Sequence, residues 1–166
     1  LARAFLFVPA DRPERHARAL AVGTGGVIVD LEDAVAPERK ASAREGLAAS
    51  FAALPDADRQ RLLVRINAGG TPWHDDDCKA VAALVAQGLI AGVVLPKAER
   101  ADDLRRLAEA VGPKGLLVPL IESAAGLAAA DELAAAPQVL RLAFGNLDFQ
   151  ADVGLACDAD EAELVP

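Results

Sequence analysis

The sequence LLVPLIESAAGL, residues 116–127, contains the unit from which we predict the fold. Six apolar residues are followed by Glu122, then by Ser123, a residue type that caps helices, and then by an Ala-rich stretch. A continuous apolar run of this length is typical of a strand buried on both faces, as in a parallel sheet covered by helices. The stretch therefore predicts a strand, a charged residue at its carboxyl end, and a helix.

The same unit recurs along the chain, because further apolar runs alternate with helical stretches. The predicted strands are 4–8, 27–30, 62–66, 92–95, 116–121 and 139–144, and the predicted helices are 13–21, 38–53, 74–87, 101–111 and 124–135. Alternation of this kind predicts an α/β fold with a parallel sheet. No G-x-G-x-x-G motif follows the first strand, which argues against a dinucleotide-binding fold. His16, between Arg15 and Arg18 of the first helix, is expected on the surface.

Two architectures fit six such units. One is an open doubly wound sheet, and the other is a (β/α)8 TIM barrel, which needs eight strands. We expect residues 1–166 to form a single domain, since a chain of 166 residues is long enough for one core and short for two. As a barrel, this domain is expected to be C-terminally incomplete, lacking the last strands.

The net negative charge of the chain limits the kinds of partner that it can bind. The chain has 17 Lys and Arg against 25 Asp and Glu, a formal net charge of −8, so nucleic acid and anionic membrane surfaces are poor partners. No apolar run approaches the roughly 20 residues that a membrane span needs. The chain has 2 cysteines, Cys78 and Cys157, which lie far apart and favour a reducing, cytoplasmic location.

Polar side chains follow every predicted strand. They are Asp11 and Arg12, the acidic residues of 30–33, Arg65 and Asn67, Lys97, Glu122, Asn146 and Asp148. In parallel α/β folds the functional site lies at the carboxyl ends of the strands, where these residues would meet. Because a half-buried charge is costly without a partner, the series predicts a functional site at this end of the sheet.

Glu122 and Asp148 are candidate metal ligands, because they would lie at the ends of adjacent strands. Two carboxylates with few other protein ligands suit Mg²⁺, which keeps several waters and takes further oxygens from substrate. The alternative is structural: each carboxylate caps or precedes a helix. The sequence leaves both interpretations open.

Arg65 is a candidate anion-binding residue, because it lies inside an otherwise apolar strand. A guanidinium there can hold a carboxylate or an enolate with two hydrogen bonds. The alternative is a salt bridge to Asp30, Glu32 or Asp33, and the two roles are compatible. Three carboxylates so close repel one another, so they are expected beside Arg65, Lys97 or a metal ion, and one of them can carry a proton through a raised pKa.

Six segments together resemble the citrate lyase β-subunit-like family, within the HpcH/HpaI aldolase superfamily. They are FLFVPADRPER (5–15), VIVDLEDAVAPERKASAR (27–44), LLVRINAGGTPW (62–73), GVVLPKAE (92–99), LLVPLIESAAGL (116–127) and LAFGNLDFQADVG (142–154). They span nearly the whole chain in the order of the family. The resemblance implies a (β/α)8 barrel of the phosphoenolpyruvate/pyruvate type and a divalent metal, Mg²⁺ or Mn²⁺.

The resemblance also implies roles for residues of the metal and substrate site. Glu122 and Asp148 correspond to the metal ligands of the family, and Glu122 lies against the substrate as well. Arg65 corresponds to the residue that binds the substrate carboxylate and takes part in catalysis.

The resemblance implies further roles for residues of three short segments: DLED (30–33), DRPER (11–15) and PERK (37–40). DLED forms part of the wall of the site in the family, which implies Asp30 or Asp33 near the reacting groups and Glu32 beside the substrate. Arg12 and Lys40 lie where the family tends to hold the phosphates of coenzyme A.

The expected activity is that of a Mg²⁺-dependent carbon–carbon lyase. It would cleave a CoA thioester such as citryl-CoA or malyl-CoA through an enolate, giving acetyl-CoA and oxaloacetate or glyoxylate. The alternatives are a malate-synthase-like condensing enzyme or a thioesterase on the same scaffold, and a non-catalytic subunit that binds 2-oxo acid and CoA. The resemblance implies a homotrimer or hexamer and leaves open an association with other citrate lyase subunits. A catalytic acid that related lyases carry on a C-terminal segment is not assigned.

Overall fold

A computed structural model of the chain describes residues 4–157, in which six strands form one sheet whose order follows the chain. Every neighbouring pair of strands is parallel. The strands are β1 (Phe5–Pro9), β2 (Gly26–Asp30), β3 (Leu62–Arg65), β4 (Gly92–Leu95), β5 (Leu116–Ile121) and β6 (Ala143–Phe144). Strand order reverses in a doubly wound sheet, whereas sequential order is that of a barrel. The sheet curls into a half-barrel, and the expected partial TIM barrel is confirmed.

Helices follow the strands, mostly where the sequence predicts them. They are α1 (Pro13–Ala21), α2 (Lys40–Ala52), α3 (Asp56–Arg59), α4 (His74–Ala86), α5 (Ala101–Val111), α6 (Ala124–Ala128), α7 (Ala130–Ala134) and α8 (Asn146–Val153). A 3₁₀ turn over Pro37–Arg39 precedes α2. The predicted helix 124–135 is divided between α6 and α7, and α8 lies outside the predicted helices.

Each face of the sheet carries its own layer of apolar side chains. Alternate residues of a strand point to opposite faces. Val27, Val29 and their counterparts pack in the large core that includes the helices, whereas Ile28, Leu63, Val94, Val118 and Leu120 form a second cluster on the other face. Three residues of this cluster, Ile28, Leu63 and Leu120, are each followed two positions later by a candidate site residue. These are Asp30, Arg65 and Glu122 in the same order. The alternation therefore carries three candidate site residues to the same end of the inner face.

Strands β1 and β6 lie at the two edges of the sheet. Large apolar side chains near these edges are exposed, with 47% of Phe7, 50% of Phe144 and 76% of Leu147 open to solvent. Within residues 4–157 no helix combines the length and the apolar character that a bilayer crossing requires.

The prediction that His16 lies on the surface is wrong, because α1 turns this residue towards α2. His16 is 1% exposed, and its ring lies 5.6 Å from that of Phe51. Its Nε2 lies 3.3 Å from the carbonyl oxygen of Pro9, which only accepts hydrogen bonds, so Nε2 carries the proton and Nδ1 accepts from the Ser50 hydroxyl at 2.8 Å. Burial lowers the pKa of His16, which favours this neutral form.

Candidate active site

Arg65 is held by three carboxylates at the carboxyl ends of β2 and β3. The strand register places it beside Asp30, to which Nε and Nη2 each donate a hydrogen bond of 2.7 Å. Nη1 lies 3.1 Å from Glu32 and Nη2 lies 3.4 Å from Asp33. Burial acts to lower the pKa of Arg65, but the hydrogen bonds and charges of these acids outweigh it and raise the pKa. The salt-bridge interpretation of Arg65 is therefore confirmed, and the side chain also lines the cavity described below.

Asp30 has all its acceptor positions filled. Besides the two bonds from Arg65, it accepts hydrogen bonds from the main-chain N–H groups of Glu32 at 2.9 Å and Ala34 at 3.0 Å. It is 1% exposed, so it faces Arg65 and its own loop. The expectation that Asp30 acts on the reacting groups is corrected, because this carboxylate has neither exposure nor a spare lone pair for them. Its role is to fix the orientation of the Arg65 guanidinium.

Glu32 and Asp33 are placed differently although they are adjacent in sequence. The Asp33 side chain is 63% exposed and lines the cavity, whereas the Glu32 side chain is 8% exposed. Burial raises the pKa of Glu32 to about 7, against the opposing effects of Arg65 and Lys97. Glu32 Oε2 accepts no hydrogen bond even though Arg65 Nη1 is 3.1 Å away, because the N–H is not directed at it. Of the three acids, Glu32 thus fits the hypothesis of a proton carrier.

Glu122 and Asp148 line one cavity of about 360 Å³ together with Arg65 and Asp33. Glu122 follows β5 and is 5% exposed, while the Asp148 side chain is 43% exposed in the first turn of α8. Burial raises the pKa of Glu122, the Lys97 N–H opposes this, and the charge of Asp148 adds to it. The two carboxylates therefore lie within electrostatic range at the mouth of the half-barrel.

The helix-capping interpretation applies differently to Glu122 and Asp148. The cap of α6 is Ser123, whose Oγ accepts a hydrogen bond of 3.1 Å from the Gly126 N–H, as the sequence predicts. Glu122 is therefore not needed as a cap and points elsewhere. Asp148 does lie in the first turn of α8, where a carboxylate is favoured by the helix dipole, so for this residue both interpretations remain compatible.

The two carboxylates, Glu122 and Asp148, suit a metal ion that keeps water molecules among its ligands. Across residues 4–157 no three His, Cys, Asp or Glu side chains are grouped as a complete metal site. Two carboxylates with an adjacent cavity match Mg²⁺, which is usually held by one or two carboxylates and keeps several waters. The residues present thus fit a magnesium ion whose remaining ligands are water or substrate oxygens.

Two further residues contact Glu122: Lys97, which belongs to the predicted series of strand-end residues, and Gly145, which was not predicted. Lys97 donates its main-chain N–H to Glu122 Oε2 at 2.9 Å, and its Nζ lies 3.5 Å from Glu32 Oε1 and 3.9 Å from Asp148 Oδ2. Gly145 packs so closely on Glu122 that a Cβ there would lie 2.7 Å from Cγ and from Oε1. The position of Gly145 directly after β6 is the signal that could have found it.

The two predicted CoA-phosphate contacts occupy different environments. The Arg12 side chain is 47% exposed and lies 4.0 Å from Asp11, so it remains a candidate. Lys40 is 5% exposed, and its ammonium donates to the carbonyl oxygens of Leu31 at 2.7 Å and Glu32 at 2.5 Å. Burial lowers the pKa of Lys40. The expectation for Lys40 is corrected: its donors hold the main chain after β2 and are not directed at an external phosphate.

Comparison with known proteins agrees with this fold. The sequence model of the family described as HpcH/HpaI aldolase/citrate lyase matches residues 3–165. A citrate lyase subunit beta-like protein of Mycobacterium tuberculosis is 40% identical over 150 residues, which are 90% of this chain and 50% of that protein. An L-malyl-CoA/beta-methylmalyl-CoA lyase and a (3S)-malyl-CoA thioesterase of Cereibacter sphaeroides are 35% and 32% identical, each over 92% of this chain and 51% of its own length.

Solved structures show the same similarity. CitE of M. tuberculosis in complex with magnesium, acetoacetate and coenzyme A has a TM-score of 0.77 at 40% identity, over 95% of this chain and 54% of that chain. The citrate lyase beta subunit of the same organism with oxaloacetate and magnesium has a TM-score of 0.75 at 38% identity, over 95% and 65%.

Six parallel strands in sequential order define the class of fold as a partial TIM barrel, and Arg65, Glu122 and Asp148 line one cavity in it. The particular family is the one that the comparisons give: the chain belongs to the HpcH/HpaI aldolase/citrate lyase family. The chain spans about half the length of the curated relatives it matches.

Proposed function

We propose that this chain carries the metal and oxo-acid site of a Mg²⁺-dependent carbon–carbon lyase. The substrate would be a CoA thioester such as malyl-CoA or citryl-CoA, and the products acetyl-CoA and glyoxylate or oxaloacetate. The observation that carries the proposal is that Glu122, Asp148 and Arg65 line one cavity. The similarity to a malyl-CoA lyase and to a citrate lyase beta subunit complexed with oxaloacetate and magnesium supports it.

Glu122 and Asp148 would hold the divalent cation, Mg²⁺ or Mn²⁺. When bound, the ion supplies a Lewis acid for oxygens of the 2-oxo acid. Because Gly145 has no side chain, the Glu122 carboxylate can pack directly against it. The main-chain N–H of Lys97 donates a hydrogen bond to Oε2 of this carboxylate. The other carboxylate oxygen, Oε1, is the one beside Gly145.

Arg65 would bind the carboxylate of the substrate and stabilise negative charge as the carbon–carbon bond breaks. Its guanidinium is already oriented by Asp30, so it needs no rearrangement when charge develops on an enolate oxygen. Such preorganisation favours the transition state because the stabilising dipoles are in place beforehand.

Glu32 and Asp33 would serve the proton transfers of the reaction. A pKa of about 7 lets Glu32 hold or release a proton at Oε2 near neutral pH, as general acid–base catalysis requires. Asp33 is exposed to the cavity and is the second candidate. Arg12, exposed after β1, is the proposed contact for the CoA phosphates.

The test measures acetyl-CoA and 2-oxo acid released from malyl-CoA and from citryl-CoA, with Mg²⁺ and with EDTA. Release is expected with Mg²⁺, and its loss is expected with EDTA and in Asp148→Ala. The control variant is Asp102→Asn, on the exposed face of α5. Activity that survives EDTA, or that Asp148→Ala retains, would exclude the proposal.

A thioesterase is the second candidate function, because a (3S)-malyl-CoA thioesterase is 32% identical over 92% of this chain. Hydrolysis of malyl-CoA would give malate and free CoA, whereas cleavage of the carbon–carbon bond gives acetyl-CoA and glyoxylate. Quantifying all four products in the same reaction separates the two activities. Incubation with glyoxylate and acetyl-CoA tests the condensing direction: the reverse of the lyase reaction gives malyl-CoA, whereas a malate-synthase-like enzyme also hydrolyses the thioester with water and gives malate and CoA.

For the assembly we propose a homotrimer or hexamer in the cytoplasm. The exposed apolar side chains along β1 and β6 support self-association, since apolar patches of this kind mark interaction surfaces. Light scattering on the purified chain measures the oligomeric state, and a monomer at all concentrations would contradict the proposal.

A further inference from the structure

Lys97 has an unusual main-chain conformation for a residue with a side chain. Its φ of 48° lies in the left-handed region, which residues other than Gly, Asn and Asp rarely adopt. The conformation directs two successive N–H groups at β5 and the residue after it: Lys97 donates to Glu122 Oε2 at 2.9 Å, and Ala98 donates to the carbonyl oxygen of Leu120 at 3.1 Å. The strained residue is thus fixed by the strand that carries Glu122.

The side chain of Lys97 reaches two further acids. Its ammonium lies 3.5 Å from Glu32 Oε1 and 3.9 Å from Asp148 Oδ2, and the side chain is 49% exposed. One residue therefore contacts Glu122 through its main chain and Glu32 and Asp148 through its charge. The ammonium is close enough to neutralise these acids and exposed enough to move away from them.

The charge around the cavity needs this ammonium. Five carboxylates surround the site: Asp30, Glu32, Asp33, Glu122 and Asp148. Arg65 is directed at Asp30 and its two neighbours in the loop, and the ion pair of Asp148 within 4 Å is with Lys97. Without a second cation, Glu122 and Asp148 would face each other across a half-buried cavity, and like charges so placed repel one another.

We propose that Lys97 is the resident counter-cation of this cluster and that a divalent metal binds in competition with its ammonium. The proposal rests on the proposed function only in taking Glu122 and Asp148 as the metal ligands. Two cations attracted to Asp148 repel each other, so the ammonium must weaken metal binding or withdraw from Asp148 when the metal enters. Lys97 is then a positioning residue that sets the metal affinity of the site.

The experiment compares Mn²⁺ affinity in four forms of the chain, measured by electron paramagnetic resonance. They are the wild type, Lys97→Gln, which removes the charge and keeps a side chain of similar length, Lys97→Arg, which keeps the charge, and Lys79→Gln. Lys79 is the matched control, because it is an exposed lysine on α4 that pairs with Asp76. We expect Lys97→Gln to bind Mn²⁺ roughly tenfold more tightly than the wild type. Lys97→Arg and Lys79→Gln should bind like the wild type.

A second measurement follows the melting temperature without metal. In EDTA, Lys97→Gln should melt at a lower temperature than Lys79→Gln, because its carboxylates have lost their counter-cation, and added Mn²⁺ should reverse the difference. Equal or weaker Mn²⁺ binding by Lys97→Gln, or no excess destabilisation in EDTA, would overturn the inference. The proposed function fails separately if the wild type binds Mn²⁺ with the expected dependence on Lys97 but releases no acetyl-CoA, malate or 2-oxo acid.

Discussion

Arg65 and Asp30 lie side by side on β3 and β2 and are joined by two parallel hydrogen bonds of 2.7 Å. Both residues are nearly buried, and Asp30 receives two further main-chain N–H groups. This arrangement fixes the plane of the guanidinium at the wall of the cavity. A lysine in its place would keep the charge but lose the fork that holds a carboxylate with two bonds.

We therefore predict that Arg65→Lys weakens binding of oxaloacetate in the presence of Mn²⁺ by about tenfold or more. The affinity for Mn²⁺ alone should stay close to that of the wild type, because the charge is kept. Isothermal titration calorimetry measures both constants. Arg106→Lys, on the exposed side of α5, is the control. Equal loss of metal and oxo-acid binding would point to a general collapse of the site and contradict the prediction.

Gly145→Ala is expected to weaken metal binding. The added Cβ would lie 2.7 Å from Cγ and Oε1 of Glu122, so the carboxylate must shift. We predict roughly tenfold weaker Mn²⁺ binding and a loss of about 1–3 kcal/mol of stability from overpacking. Gly46→Ala is the matched control, because no heavy atom lies within 4 Å of its Cβ position in α2. Helix propensity makes that control stabilising by roughly 0.5–1 kcal/mol. Unchanged Mn²⁺ affinity in Gly145→Ala would show that Glu122 is not a ligand.

The raised pKa of Glu32 predicts a pH-dependent stability. The unfolded chain releases this proton near pH 4.5, whereas the folded chain keeps it until about pH 7. The folded state binds more protons between these values, so the free energy of unfolding falls as the pH rises through this window. Over this window Glu32 lowers the free energy of unfolding by about 3–4 kcal/mol, since one pKa unit corresponds to about 1.4 kcal/mol.

Urea denaturation in EDTA from pH 4.5 to 7 measures this contribution. Glu32→Gln should flatten the slope, because glutamine does not titrate. Glu109→Gln, on the exposed face of α5, should leave the slope unchanged. The same slope in Glu32→Gln and in the wild type would mean that Glu32 titrates normally in the folded chain.

Arg12 and Lys40 are expected to respond differently to substitution. Lys40→Met should lower the free energy of unfolding by about 1–3 kcal/mol, because two buried carbonyl oxygens lose their donor. Arg12→Gln should leave stability unchanged and weaken binding of CoA about threefold or more, as for one lost charge-assisted phosphate contact. Calorimetry with CoA and urea denaturation check the two effects. Weaker CoA binding in a stably folded Lys40→Met would restore Lys40 as a phosphate contact.

The continuous apolar runs, each followed by a helical stretch, were sufficient to predict the strands and the parallel sheet. Because alternate residues of a strand share a face, Asp30 lies on the inner face with Ile28, and Arg65 lies there with Leu63. After Asp30 the chain leaves the sheet, so the rule no longer tells which of Glu32 and Asp33 is buried.

The features that could not be predicted depend on contacts between residues distant in sequence. His16 is buried because α2 lies against α1, and its partner Ser50 is 34 residues away. Lys97 enters the site through a left-handed main-chain conformation that Glu122, 25 residues later, helps to fix. A pattern of apolar residues carries no information on either contact.

The order of the strands in the sheet has a consequence for how the molecule is synthesised. Because every strand pairs with the one before it, the sheet can grow as the chain leaves the ribosome. The arginine of the site is in place once β3 has joined β2, whereas Glu122 and Asp148 arrive with β5 and α8. A nascent chain would therefore acquire its anion-holding group well before it can capture a divalent ion.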